Sequence, residues 1–164
     1  MSPVSSSAPS PGDPAAAAHE PAGLLSSDPL IAMLERAHVD RSSLILLTGP
    51  SGLSALLWLC RHGYERVGYL RPGAGSHEPA DALIVAHTCD DSALERLLST
   101  GPHVREGGVM VFQSPLPHAD AERADPVHRL LRRHGYAIEQ CHHGCRRALH
   151  VARRGWRQAF RRAA

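Results

Sequence analysis

Lysine is absent from the 164-residue sequence; all 18 basic side chains are arginine. That absence excludes several chemistries at once. A Walker-type phosphate loop requires its lysine, and a pyridoxal Schiff base forms on one. A protein kinase needs its strand lysine, and short-chain dehydrogenases set a lysine beside their tyrosine. Long apolar runs are also missing. The longest, residues 55–60, and shorter ones such as 44–47 fall far short of the roughly 20 residues that a membrane span needs. Residues 1–30 hold no basic side chain and no apolar run before Leu24-Leu25, so no signal peptide is expected there. The four cysteines (Cys60, Cys89, Cys141, Cys145) are too few for a disulfide framework in a chain of this size. Together these features predict a soluble, cytoplasmic protein with reduced thiols. Complete replacement of Lys by Arg, with 13 Pro and many Ala, matches a high-GC bacterial coding bias and carries no function.

What is present suffices for one core. The chain is 43% hydrophobic and 21% charged, and its length suits one domain better than two. The net charge of +2 conceals an asymmetry: residues 1–145 sum to −5, whereas residues 146–164 carry 7 Arg and no acid. Only the C-terminal end is basic enough to attract an anionic partner. Residues 1–27 are dominated by Pro, Ser, Ala and Gly, a composition that predicts a disordered leader. A folded domain is expected over 28–154, followed by a basic amphipathic tail at 155–164. In that tail Trp156 and Phe160 stand one helical turn apart among Arg157, Arg161 and Arg162.

Asp28-Pro29 reads as a cap and first residue of a helix to about residue 37, with Leu30, Ile31, Leu34 and Ala37 on one stripe. Residues 43–48 (SLILLT) read as a strand buried on both faces. After a Gly-Pro-Ser-Gly turn, a helix over 53–62 is expected to place Leu53, Leu56, Leu57 and Cys60 in the core. Strands follow at 66–70 and 81–87, then a helix opened by a capping box, Ser92-x-x-Glu95. Gly107-Gly108 leads into a strand at 109–113, and Asp125-Pro126 caps a helix closed by Gly135. The last two strands, 136–142 and 147–153, leave no room for a helix between them and form an antiparallel hairpin. The alternation predicts a doubly wound α/β domain with a mostly parallel, Rossmann-like sheet.

This order of elements resembles the class I S-adenosylmethionine (SAM)-dependent methyltransferase fold family. Three stretches carry the resemblance: SSLILLTGPSGLSALLWLCRHGYERVGYL, DALIVAHTCDDSALERLLSTGPHVREGGVMVF and VHRLLRRHGYAIEQCHHGCRRALHVARR. The resemblance implies a SAM site past the first strand, with Thr48, Gly49, Ser51, Gly52, Arg71 and Thr88 as cofactor-binding candidates. It also makes His87, at the end of the third strand, the candidate general base, with Asp90 or Asp91 orienting it.

Three departures accompany the resemblance. The family's acidic-x-Gly-x-Gly-x-Gly positions fall on Leu46, Thr48, Pro50 and Gly52, so the acid and two glycines are missing. Where an acid usually takes the ribose hydroxyls stand Leu70 and Arg71, and a guanidinium has no acceptor to offer. Finally, only residues 71–80 stand where the family places a helix, a third strand and a connection. The chain must cover roughly 20 Å there. Ten helical residues span about 15 Å and ten extended ones about 33 Å, so an extended strap is expected and the third strand is missing.

Other readings are weaker. Arg71 belongs to no complete nicotinamide fingerprint, because TGPSGLSA lacks Gly-x-Gly-x-x-Gly. Cys141, His142, His143, Cys145 and His150 offer zinc donors, but alternation along strands sends neighbours to opposite faces, so core cysteines and exposed histidines are expected and no metal. The leading expectation is a degenerate, shortened methyltransferase-like domain, a non-catalytic scaffold or regulatory subunit whose fold a protein partner completes. Its alternatives are an active SAM-dependent small-molecule methyltransferase with a rearranged cofactor site, and a nucleic-acid-associated protein using the Arg-rich tail.

Overall fold

The computed structural model describes residues 28–71, 78–116 and 126–155. The first helix, α1 (Pro29–Arg36), starts where the sequence signals it. The Asp28 carboxylate accepts the Leu30 N–H at 2.9 Å, and Pro29 fills a position whose amide would have no helical partner. There follow β1 (Leu44–Thr48), α2 (Gly52–Arg61), β2 (Arg66–Tyr69), β3 (Ala80–Thr88), α3 (Asp91–Ser99), β4 (Val104–Pro115), α4 (Pro126–Arg133), β5 (Tyr136–His143) and β6 (Arg147–Arg154).

All six strands join one sheet in the order β2-β1-β3-β4-β6-β5. The pairs β1–β2, β1–β3 and β3–β4 are parallel, and β6 is antiparallel to both β4 and β5. The α/β class, the mostly parallel sheet and the terminal hairpin are as expected. Among the described residues β2 has one strand neighbour, β1, and no strand intervenes between β2 and β3. The extended path expected over 71–80 falls chiefly on residues 72–77, outside the described residues. So do the leader and, from residue 156, the basic tail.

Alternation along the strands divides the core into two layers. Ile45 and Leu47 face Met33, Leu34 and Leu59 of α1 and α2, together with Ile84, Val111 and Val151. Leu83, Val85, Met110 and Phe112 point the other way, onto Leu94 and Leu98 of α3 and Leu130 and Leu131 of α4. Arg153 ties the C-terminal end of α1 and strand β4 to the terminal hairpin. Its guanidinium meets Glu139 at 2.5 Å, the Gly107 carbonyl at 2.5 Å and the Ala37 carbonyl at 3.1 Å.

Several local expectations are corrected. Helix α2 is apolar nearly all round, so its periodicity admits two stripes. The buried one runs through Gly52, Ala55, Leu56 and Leu59, while Leu53 and Leu57 are 67% and 52% exposed and Cys60 is exposed. The cap of α3 is Asp90, whose carboxylate accepts the Ala93 N–H at 2.7 Å; Ser92 lies inside the helix, so the capping box does not form. β4 begins at Val104, and Gly107-Gly108 sits within a register shift against β3 rather than before the strand. A Cβ on Gly108 would stand 2.4 Å from the Val104 side chain and 2.7 Å from the Asp81 carbonyl, which is why glycine is needed there. Cys141 and Cys145 are exposed rather than core residues.

Candidate functional site

In an open parallel sheet the ligand crevice lies beyond the carboxyl ends of the strands. Here that rim is built by Thr48 and the loop after β1, by Leu70 and Arg71 after β2, by His87 to Asp90 at the end of β3, and by Gln113 and Ser114 on β4. The structure therefore brings the sequence candidates to one end of the sheet. What they do there follows from their contacts.

Gly49 has φ +101°, a conformation that glycine adopts freely and other residues reach only with strain. Its carbonyl accepts two hydrogen bonds, from the Gly52 N–H at 3.0 Å and from the Tyr69 hydroxyl at 3.0 Å. The imidazole of His87 stands so close that a Cβ on Gly49 would lie 2.2 Å from its Nδ1. Gly52, the first residue of α2, is hemmed in likewise: a Cβ there would lie 2.3 Å from Cε2 of Tyr69. Side chains of the protein's own β2 and β3 thus occupy the space that both glycines leave open.

At the end of β2, Leu70 is buried in the core and its N–H donates to the Leu47 carbonyl at 2.7 Å, while Arg71 is exposed. Neither supplies a hydrogen-bond acceptor from its side chain. Ser51 caps α2 without a side-chain hydrogen bond. The β3 end is more polar. His87 Nε2 faces the Cys89 sulfur at 3.7 Å. His87 Nδ1 and Thr88 Oγ1 are buried and have no hydrogen-bond partner among the described residues. Asp90 is engaged at the cap of α3, so the histidine's polar neighbour is Cys89 rather than either aspartate.

Burial pushes the Cys89 thiol up to about 11, with the charge of Asp90 adding to the shift. At neutral pH it is therefore a thiol, not a nucleophilic thiolate. A raised value in the folded state gives a stability contribution that is full below the unfolded value of 9.0 and is lost as pH rises towards about 11. Burial also raises the phenols of Tyr64 and Tyr136, which add to the loss at still higher pH. In native protein at pH 8 a thiol reagent will titrate Cys60, Cys141 and Cys145, and Cys89 only on unfolding. Replacing Cys89 by alanine will remove the first part of the alkaline loss of stability; rapid labelling of all four thiols in the native state would contradict this assignment.

Sequence reasoning missed two features of this end of the sheet. One is Tyr69, whose only signal was an aromatic residue closing a short strand. The other is a buried polar pair: Ser114 Oγ and His150 Nε2 are 2.8 Å apart, and the His150 ring stacks on Phe112 at a centroid distance of 5.0 Å. His150 is 4% exposed, because position 150 pairs with Phe112 in the middle of the β4–β6 ladder. Beside them opens a cavity of about 550 Å³, bordered by Asp90, Ser114, His128, Cys141 and His143. Among the described residues no group of three or more His, Cys, Asp or Glu side chains is placed to hold a metal ion.

No helix among the described residues is long and apolar enough to cross a membrane. No protein-family model and no curated protein matches the sequence. Solved structures do match. A ribosomal protein L11 methylase from Lactobacillus delbrueckii subsp. bulgaricus superposes with a TM-score of 0.54 at 16% identity, covering 76% of this chain and 77% of that one. The magnesium protoporphyrin IX methyltransferase ChlM from Synechocystis, with bound SAH, gives 0.56 at 10% identity over 77% and 80%. A tRNA methyltransferase from B. subtilis gives 0.52 at 12% identity over 77% and 67%. Element order, sheet topology and these superpositions agree: the chain has the class I SAM-dependent methyltransferase fold.

Proposed function

We propose that this chain is a methyltransferase-fold domain that has exchanged its cofactor site for internal packing and acts as a non-catalytic scaffold or regulatory subunit. One observation carries the reading: the rings of His87 and Tyr69 fill the volume beside Gly49 and Gly52. In the fold such glycines let backbone approach a nucleoside; here they let two side chains approach backbone. The implied cofactor fits the residues poorly in two further ways. Leu46 stands in place of the acid of the glycine motif, and Leu70 with Arg71 offers the ribose hydroxyls no carboxylate. On this reading these residues present no methyl donor to a substrate, and the domain carries out no transfer step.

The second reading is an active SAM-dependent small-molecule methyltransferase with a rearranged site. What favours it is a pair of buried polar atoms without a partner among the described residues, His87 Nδ1 and Thr88 Oγ1, which a bound molecule would satisfy. Under this reading Thr48, Gly49, Ser51, Gly52, Arg71 and Thr88 line the ligand and His87 serves as the base. Calorimetric titration with SAM separates the two. The first reading gives no saturable heat with SAM raised to about 1 mM, a concentration that would reveal even a weak site. One-site binding in the micromolar range, lost in His87→Ala and Thr88→Val variants that remain folded by circular dichroism, would establish the second.

A further inference from the structure

A second cavity opens at the far end of the sheet from the polar rim, where β4 begins and β6 ends. Its volume is about 550 Å³, and Glu106, Leu131, Arg132, Tyr136, Ile138 and Gly155 are among the residues that border it. Leu131 and Tyr136 are buried and Ile138 packs beside them, so the lining is largely apolar. Arg132 and Glu106 are exposed. Glu139, on the same border, is held by Arg153, whereas Glu106 has no ion-pair partner among the described residues. Strand β6 gives way to Gly155 here. The Gly155 N–H donates to the Gly135 carbonyl at 3.0 Å, and its φ of +111° turns the backbone as only glycine does freely. A Cβ on Gly155 would stand 3.2 Å from Cγ of Glu106. The Cα of residue 156 follows about 3.8 Å further along the chain. Trp156 is therefore tethered at the border of the cavity.

We propose that this cavity is the docking site of the chain's own residues 156–164, with the rings of Trp156 and Phe160 entering it and the arginines of the segment turned towards Glu106. The occupant is argued from position, composition and charge. The chain has two Trp and two Phe. Trp58 packs against the layer of α1 and α2 and Phe112 belongs to the other, which leaves Trp156 and Phe160. Their spacing of four sets both rings on one face of a helix. A helix of so few residues does not hold in water by itself, so that face calls for a surface to pack on. Each ring removes about 150–250 Å² from water when covered, and a cavity of about 550 Å³ has room for both. Residues 156–164 carry Arg157, Arg161 and Arg162 and no acid, complementary to the unpaired Glu106 beside Gly155. The other segments outside the described residues, 1–27, 72–77 and 117–125, contain no aromatic side chain. Tethering at the border gives the segment an effective concentration on the order of millimolar, so even a modest contact is populated. The proposal goes beyond the reading of the cofactor site and fails separately from it, because the cavity lies at the opposite end of the strands from Gly49 and Gly52.

Fluorescence of the full chain in a Trp58→Phe background, where Trp156 is the one indole, tests it. The expected result is blue-shifted emission with acrylamide quenching at least about threefold slower than in urea, because the indole is covered. Protection will be the same from roughly 1 µM to roughly 100 µM protein, as an intramolecular contact requires. Phe160→Asp will return the quenching of Trp156 to its value in urea, since a carboxylate does not enter an apolar cavity unpaired. Methyl NMR locates the contact. In Trp156→Ala the Ile138 methyl signals, shifted by the indole ring in the parent chain, will move, while those of Ile45 in the opposite layer stay in place and show that the fold is intact. An indole as accessible in the native chain as in urea overturns the proposal. So does protection with the Ile138 signals unmoved by Trp156→Ala. Protection that grows with protein concentration would make a second copy the partner of the segment, and protection that arises only when heparin is added would make it a polyanion; either result overturns docking within the chain.

Discussion

Replacing Gly49 by alanine will lower the stability of the domain by about 2–5 kcal/mol in urea denaturation, the sum of two separable costs. The backbone cost arises from φ +101°, which an alanine tolerates poorly. The packing cost arises because the new methyl would stand 2.2 Å from Nδ1 of His87, a ring held between the loop and Cys89. In a His87→Ala background the second cost vanishes and the first remains. The double-mutant cycle will therefore show a favourable coupling of about 1–3 kcal/mol between the two positions. Strict additivity would mean that the ring does not rest on the loop. Gly52→Ala is the instructive contrast. Its methyl also meets a ring, but Tyr69 is 42% exposed and can swing outward, at the cost of its hydrogen bond to Gly49. Its loss will be nearer 1 kcal/mol.

Phe112→Ala will cost about 3–5 kcal/mol, the usual range for emptying a filled aromatic site. Phe112 is 1% exposed in the middle of β4 and packs into the layer formed with α3 and α4. It also stacks on His150, which in turn shares a hydrogen bond with Ser114. Phe112→Leu keeps most of the volume and will cost under about 1.5 kcal/mol. The measurement is the urea midpoint at unchanged slope, which reports stability and not a change in the unfolded chain. A loss below about 1 kcal/mol for the alanine variant would show that β4 does not carry the core in this register.

Much of the architecture was legible because strong local signals agreed with one another. Asp28-Pro29 marks a helix start by capping chemistry alone, and continuous apolar runs such as LILLT mark strands covered on both faces. The absence of room for a helix between residues 142 and 147 dictated the hairpin. Where signals were degenerate the reading slipped. In GLSALLWLC two stripes compete, and the sequence favours the one with more leucine; the fold buries the other, whose Gly52 lies against the Tyr69 ring and whose Leu59 is enclosed in the core. Ser92-x-x-Glu95 satisfies a capping pattern, yet Asp90 lies two residues earlier, between β3 and α3, and takes the Ala93 amide first. The site followed the same rule. Chain order places Gly49, His87 and Arg71 at one end of the sheet, but which side chain fills which space depends on contacts between residues far apart in the chain. Nothing local in RVGYL signals that Tyr69 will close over Gly52.

The volume beside Gly49 and Gly52 is bordered by backbone amides that report directly on what fills it. Gly49 and Gly52 each lie beneath a ring of the protein itself, and on the proposed reading those rings stand where a nucleoside would otherwise rest. The most direct measurement is a ¹H–¹⁵N correlation spectrum of the full chain recorded while SAH is added to about 2 mM, well above the dissociation constant of a functional site. The account predicts that the Gly49 and Gly52 amide resonances stay in place throughout. Saturable shifts of both, with His87 and Tyr69 moving in parallel, would show that the rings yield to the nucleoside and would contradict it.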